Sequence, residues 1–533
     1  MSATRAYLQV EGVNIYASIL DTNQLSVVRG GSFMLREAIY DVVKTFDAEL
    51  KPLSLGASSG LFRLREGCAK PPQRLKAKVA KHLAEHPNFR HLTFAVVTAE
   101  CTSFAEAREE LLARLRVEQL RSPSTAPDAL PADGQRAAPC ALEGRRIGTE
   151  TESGLDKYAT DEKKGSRYSN SAIRRWHYGR DRRENYYERE TKGHLQLEDL
   201  SGKLQFTDDL QTLADCSEFP QLTDKLAVLY VDGNRFGDIQ RHIATDEDKQ
   251  EKFDNQIRDR RSAFLASLLR SLDASNPDSF PHARTAGGQL RVETLLWGGD
   301  EALFVAPTWH GFDLLHSYYQ HATEWHREID GIDTPLTHAA GLVFCKVKMP
   351  IAKIRQLAQQ LAEDVKDPSD AAPVNSEQRE ARRKADLYNY LVLESIDYAP
   401  DQSVDQFRSL RYGPLANGFA PLKPAENWSD LRPRLTDLLD ALPKSQIYRL
   451  ARLATGARAE SEVEEGEERL KLVLGEKEFG DCLGTLDAMF REAETPTGAA
   501  LRRWVHLAEL WDYLAPRPGA VEQDNVVQGG AST

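Results

Sequence analysis

The chain has 533 residues, 41% hydrophobic and 28% charged, with a formal charge of -12; this is a globular composition with room for roughly three or four domains. It excludes wholesale disorder and a surface coated in positive charge for unspecific nucleic-acid binding, although a local basic channel remains compatible with it. No apolar run approaches bilayer length, the opening "MSATRAYLQVEG" lacks the organisation of a signal peptide, and Cys68, Cys101, Cys140, Cys216, Cys345 and Cys482 stand singly, so the expectation is a cytoplasmic protein, off the membrane, with isolated thiols.

Residues 1–120 alternate two periodicities. "AYLQVEGVNIYASIL" has strand composition, "SFMLREAIYDVVKTFDAEL" has helical spacing, "LKPLSLGASSGLFRL" reads as a hairpin, and "PQRLKAKVAKHLAEH", "HLTFAVVTAE" and "SFAEAREELLARLRVEQL" as helix, strand and helix. The order β-α-β-β-α-β predicts a ferredoxin-like domain. Residues 121–215 change character, opening on "RSPSTAPDALPADG", a linker composition. Within them "AIRRWHYGRDRRENYYERE" interleaves arginines with aromatics, a pattern that can grip phosphates and stack bases, or can be a solvated face neutralised by Asp181, Glu184, Glu188 and Glu190.

Over 216–404 the first order returns: the strand "KLAVLYVDGN", the helix "KFDNQIRDRRSAFLASLLRSL", the hairpin "RVETLLWGGDEALFVAP", the helix "GFDLLHSYYQHATEWHREI", the strand "LTHAAGLVFCKV" and the helix "PIAKIRQLAQQLAEDVK". "QVEGVN" at Gln9 to Asn14 aligns with "YVDGNR" at Tyr230 to Arg235, and "GASSGLF" at Gly56 to Phe62 with "GGDEALF" at Gly298 to Phe304. These are two diverged copies of one domain. In the first copy Ser58 and Ser59 stand where the second has acids, and serines do not supply the anionic oxygens that a hard cation requires, which predicts a catalytically silent first domain. Residues 405–517 read as helical, with a charged run at "ARAESEVEEGEERLKL", and 518–533 as a disordered tail. The fold expected is thus α+β: two βαββαβ domains and a helical C-terminal domain.

The chemistry rests on the second hairpin. In a ferredoxin-like sheet the end of the first strand and the tip of the following hairpin lie on neighbouring strands, so Asp232 and Asp300 converge. With the carbonyl of Gly233 they offer hard oxygens to one or two Mg²⁺ or Mn²⁺ ions and leave positions for a nucleotide. Glu301 is a direct ligand or a carboxylate behind the ligands. Gly298 and Gly299 permit a tight turn and a close approach to a phosphate.

"YVDGNRFG", "WGGDEALFVAP" and "LTHAAGLVFCKVKMPIAKIRQLAQQLAEDVK" resemble the second palm domain of the large polymerase/cyclase subunit of type III CRISPR effector complexes and, more distantly, GGDEF diguanylate cyclases. The order of first palm, intervening segment, second palm and a helical domain containing "LPKSQIYRL" extends the resemblance over most of the chain. It implies Mg²⁺-dependent joining of ATP into cyclic oligoadenylates, a signal in antiviral defence, with metal acids at Asp232 and Asp300 and Glu301 in the place of the last acid of a Gly-Gly-Asp-Asp sequence. It also places Lys366 against nucleotide phosphates and Asn234 against base or ribose; the plain alternatives are a lysine favoured by a helix C-terminus and a turn asparagine. No His-Asp dipeptide lies near the N-terminus and no cysteine pairs follow, "PCALEGRRIGTE" around Cys140 keeping one ligand at most. This departure predicts a stand-alone relative without the nuclease domain.

The leading expectation is therefore a nucleotidyltransferase that cyclises or oligomerises ATP or another NTP, with an RNA or protein activator left open. The alternative is a catalytically inactive scaffold or sensor that binds nucleotide, RNA or protein. A template-directed polymerase is third, disfavoured by the acidic balance.

Overall fold

The computed structural model describes residues 4–68, 70–124, 138–156, 166–201, 204–273, 279–328, 336–367, 375–394, 404–413, 415, 419–456, 459–493 and 498–517. The expected tail 518–533 and most of the Pro-rich opening of the linker lie outside them. Among the described residues no helix is long and apolar enough to cross a membrane.

Strands β1 (Arg5–Gly12), β2 (Leu50–Leu55), β3 (Ser59–Leu64) and β4 (Phe94–Cys101) form an antiparallel sheet in the order β2-β3-β1-β4, the ferredoxin-like arrangement. Because side chains alternate across a strand, Leu8 and Val10 join the core built with helices Leu25–Thr45 and Pro72–Glu85, whereas Tyr7 joins the core under helix Phe104–Arg121. The second sheet contains β5 (Lys225–Gly233), β6 (Glu293–Gly298), β7 (Glu301–Pro307), β8 (His338–Lys346) and β9 (Leu387–Leu393), in the order β6-β7-β5-β8-β9. β5 is buried on both faces. Ala227, Leu229 and Val231 face helices Glu247–Ser271 and Gly311–Glu328, and Leu226, Val228 and Tyr230 face helix Ile351–Lys366.

The two sheets repeat one another down to single hydrogen bonds. Glu11 pairs with Ser59 as Asp232 pairs with Glu301. Gly12 N–H donates to Ser58 O at 2.7 Å as Gly233 N–H donates to Asp300 O at 3.1 Å. The outer strands bulge at equivalent places, Pro52/Ser54 and Thr294/Leu296. Asn14 and Arg235, each opening a short helix, are both left-handed, at φ 57° and 59°. The aligned motifs thus mark equivalent backbone.

Three features differ from the sequence reading. β9 was not expected: "LYNYLVL" adds parallel to β8, and a short fully buried apolar run carries no periodicity that separates strand from helix. The helix after β5 is two helices, Phe236–Ile243 and Glu247–Ser271, the second starting where Asp246 caps it. The basic-aromatic stretch is neither a solvated face nor part of a simple connector. It forms helices Asn170–Asp181 and Arg183–Glu190, with Arg175, Trp176, Arg183, Tyr186 and Tyr187 buried. Arg175 bridges Asp21 at 2.9 Å and Glu143 at 3.0 Å, Arg183 meets Glu293 at 2.9 Å, and Arg36 meets Glu190 at 3.2 Å. Gly30 and Gly179 bring the backbones of helices Leu25–Thr45 and Asn170–Asp181 into contact; a Cβ at Gly30 would fall 1.7 Å from Arg175 O.

The C-terminal region is helical, from Trp428–Ala441 through Lys444–Ala454, Ala459–Leu474 and Glu476–Met489 to Ala499–Leu510. It shares a continuous core with the second sheet. Trp428 Nε1 donates to Asp313 at 2.8 Å and its ring stacks on His316 at 4.3 Å.

Candidate metal and nucleotide site

Strand parity decides where the acids go. Asp232 continues the face of Val228 and Tyr230, so it points at helix Ile351–Lys366, whose last residue, Lys366, donates to its carboxylate and, at 2.8 Å, to Gly233 O. Glu301 lies directly across the ladder from Asp232. Asp300 sits at the hairpin tip, where its carbonyl binds Gly233 N–H and its Cβ would meet one built on Gly233 at 2.6 Å. The structure therefore brings together Asp232, Gly233, Asp300, Glu301 and Lys366.

The acids crowd one another. Burial and then the charge of Asp232 raise the pKa of Asp300, with a smaller opposing pull from Lys366. Glu301 is pushed up to about 7, first by desolvation in the cleft, then by the charges of Asp232 and Asp300; its surface is still open to water, so mutual repulsion, more than dehydration, fits its position. Tyr230 lies on the same sheet face beside the acids, and burial with the neighbouring carboxylates raises its hydroxyl far above the ordinary range. Negative charge in excess of what Lys366 offsets, carried only by oxygen donors, fits a hard divalent cation. Asp232, Asp300 and the Gly233 carbonyl would hold it.

The remaining expected residues divide. Gly299 has φ +59° and open space around it, so the tip needs its left-handed backbone. Gly298 is required for another reason: a Cβ there would fall 1.5 Å from the Cβ of Ala57 at the tip of the first hairpin. Asn234 is turned inward, 2% exposed, its amide donating to Thr337 Oγ1 at 3.0 Å and Ala385 O at 3.2 Å. It pins the loop after β5 in place of the nucleotide contact expected of it. Lys366 bonds the Asp232 carboxylate and Gly233 O.

The touching tips bound a cleft of about 430 Å³ between the two sheets' domains, lined by Gly56, Ser59 and Arg108 on one side and Phe236, Gly299 and Asp300 on the other. That size lies in the range of small-molecule sites. Beneath it is His338, opposite Gly233 in the β5–β8 ladder, fully buried, its backbone N–H held by Asp386 at 2.8 Å and its ring against Phe236. Sequence reasoning missed Tyr230 and His338. Tyr230 carried a signal, being two residues before Asp232 on one strand face. His338 carried none, since its place depends on the β5–β8 register.

No family model matches the sequence, and no curated protein matches it significantly. Solved structures do match in fold. The Csm1–Csm4 cassette in complex with cA4 aligns over 96% of this chain and 70% of that one, at 13% identity and TM-score 0.50. The cassette in complex with one ATP aligns over 96% and 70%, at 13% and 0.48, and Csm1 of T.onnurineus over 96% and 69%, at 13% and 0.46. The chain has the fold of Csm1, a subunit of type III CRISPR complexes, and the two-palm, α+β architecture expected from the motifs is present.

Proposed function

We propose that the chain is a divalent-metal-dependent nucleotidyltransferase that joins NTP molecules, ATP favoured, into a cyclic or linear oligonucleotide signal in a defence setting. The observation that carries the reading is the nearness of two acids from different strands, the charge of Asp232 acting on Asp300, with Asp300 lining a cleft between two copies of one domain. In the reaction, a ribose hydroxyl oxygen of one nucleotide forms a bond to the α-phosphorus of another, the bond from that phosphorus to the β-bridging oxygen breaks, pyrophosphate leaves, and the hydroxyl proton passes to solvent. When bound, Mg²⁺ or Mn²⁺ lowers the pKa of the attacking hydroxyl and offsets charge on the phosphates. The chain's own part is positional. Asp232, Asp300 and Gly233 O hold the cation, Gly299 shapes the tip, Lys366 is within reach of phosphates beside Asp232, and Glu301 with Tyr230 backs the ligands. The silent first palm, with Ser58 and Ser59 at its tip, supplies the wall against which the second nucleotide rests. Support from outside the chain is the Csm1–Csm4 cassette of like fold, solved in complex with cA4.

One observation favours the second reading, a binding subunit without catalysis. The Lys366 ammonium bonds the same two oxygens, of Asp232 and Gly233, that a cation would take. Incubation with each NTP and Mg²⁺ or Mn²⁺, followed by mass analysis, separates the two. A product absent from Asp300→Ala supports the enzyme, and a product that persists in Asp300→Ala refutes this site.

A further inference from the structure

The basic-aromatic insert builds a second polar cavity, of about 210 Å³, where insert, first palm and second palm meet. Five cations line it: Arg36 from the first palm, Arg189 and Lys192 from the insert, Arg258 and Arg261 from helix Glu247–Ser271. Only two carboxylates, Glu190 and Asp259, share the wall. Acids offset much of the excess, since Glu190 pairs with Arg36 at 3.2 Å and Arg189 at 3.3 Å, Arg189 also pairs with Glu37, and Arg258 with Asp254 at 3.1 Å, but Asp259 is engaged by His194 at 2.8 Å.

Arg261 is the decisive residue. It is 6% exposed, its guanidinium lies 4.5 Å over the Trp297 ring, and its Nη2 has no hydrogen-bond partner among the described residues. A buried guanidinium donor left unmade is costly. Arg36 lies close enough that its charge depresses the Arg261 pKa, after burial, so cations have been gathered against their mutual repulsion. At roughly 30 Å³ per water the cavity has room for about seven waters, enough for a phosphate or diphosphate group, and Lys192 stands exposed at its edge.

We propose that this cavity is an anion site for a phosphate or diphosphate group, separate from the Asp232–Asp300 cleft. The Arg261 guanidinium and Lys192 take the anion's oxygens, Arg36 joins the site to the first hairpin, and Trp297 under Arg261 joins it to the second. Arg36 Nη1 also donates to Gly56 O at 2.7 Å and Leu55 O at 3.2 Å, beside the tip that touches Gly298, and Trp297 immediately precedes Gly298. An occupant therefore presses on the residues that set the tip-to-tip contact.

Isothermal titration calorimetry of the full chain in EDTA tests this without turnover, so its failure leaves the catalytic reading standing. The probes are inorganic phosphate, sodium pyrophosphate and ATP. One saturable site for pyrophosphate is expected, weakened about tenfold or more by Lys192→Glu, as loss of a charge-assisted bond implies, weakened likewise by Arg261→Gln, and unchanged in Lys366→Ala. Binding of ATP alone, lost in Lys192→Glu, would support the site with a nucleotide as source of the phosphate. Binding of neither probe, equal binding in Lys192→Glu, or loss only in Lys366→Ala would overturn the proposal. Lys192 is on the surface, so its variant keeps the test independent of any folding defect in Arg261→Gln.

Discussion

Ala57 and Gly298, the equivalent-region tips of two copies of one hairpin, lie against each other so closely that a methyl group on Gly298 would overlap that of Ala57, at 1.5 Å. The contact sets how the acidic tip faces the serine tip.

Gly298→Ala should therefore push the tips apart, at a cost of about 1–3 kcal/mol by overpacking, and lower activity. Adding Ala57→Gly removes the atom in the way and should restore a large part of both. Denaturant unfolding of the single and double variants checks it; a double variant no better than the single would show that the tips do not set the geometry.

Lys366 bonds Asp232 and Gly233 O. Lys366→Met should let the nucleotide-free protein take Mn²⁺ several-fold more tightly, about 1 kcal/mol for a partly buried charge pair, while weakening ATP. A Mn²⁺ titration followed by electron paramagnetic resonance reads the first effect, and unchanged Mn²⁺ affinity would mean that the ammonium does not contend for those oxygens.

Glu293 on β6 accepts from both Arg29 of the first palm and Arg183 of the insert, all three buried. Burial, then the charge of Arg29, lowers the Arg183 pKa to about 10. Glu293→Gln leaves two buried guanidinium groups without a counter-charge and should cost about 3–5 kcal/mol in urea unfolding. A loss under about 1 kcal/mol would show that this cluster does not lock the three segments together.

His316, stacked on Trp428 and accepting from Ala425 N–H at 3.2 Å, is held by burial at a pKa of about 3, below its ordinary 6.5. The folded state then binds fewer protons than the unfolded one below pH 6.5. Stability is full above that value and falls as pH drops towards 3, by about 2 kcal/mol at pH 5. His310, lowered to about 3 by the same burial, adds a like slope. His316→Phe should keep the stack and remove about 2 kcal/mol of the stability change between pH 6.5 and 5, measured by thermal melts; an unaltered slope would place the acid sensitivity elsewhere.

Much of this was legible in sequence because it is local. "KLAVLYVDG" and the hairpin around Gly298 and Gly299 announce themselves by composition and turn chemistry, and the repeat of "QVEGVN" in "YVDGNR" marks the paired strand ends. Asp232 and Asp300 follow from topology alone. What was hidden is long-range. Gly298 reads as a phosphate-approach glycine but is needed by Ala57, which no spacing reveals. Asn234 reads as a turn residue open to a ligand, yet Thr337 and Ala385 claim it from the segments that lead into β8 and β9. Arg175, Arg183 and Arg189 look like a solvated basic run because their partners, Asp21, Glu293 and Glu37, lie more than a hundred residues away. β9 was invisible because a strand buried on both faces loses the alternation that marks one.

The central claim is that Asp232 and Asp300 hold a divalent cation together with a nucleotide. Mn²⁺ binding in the presence of a non-hydrolysable ATP analogue, followed by electron paramagnetic resonance, tests it most directly. The account predicts that the chain sequesters Mn²⁺ with the analogue and that Asp232→Asn and Asp300→Asn each weaken this by about tenfold or more, as loss of a charged oxygen ligand requires. Mn²⁺ bound equally well by both variants would contradict it.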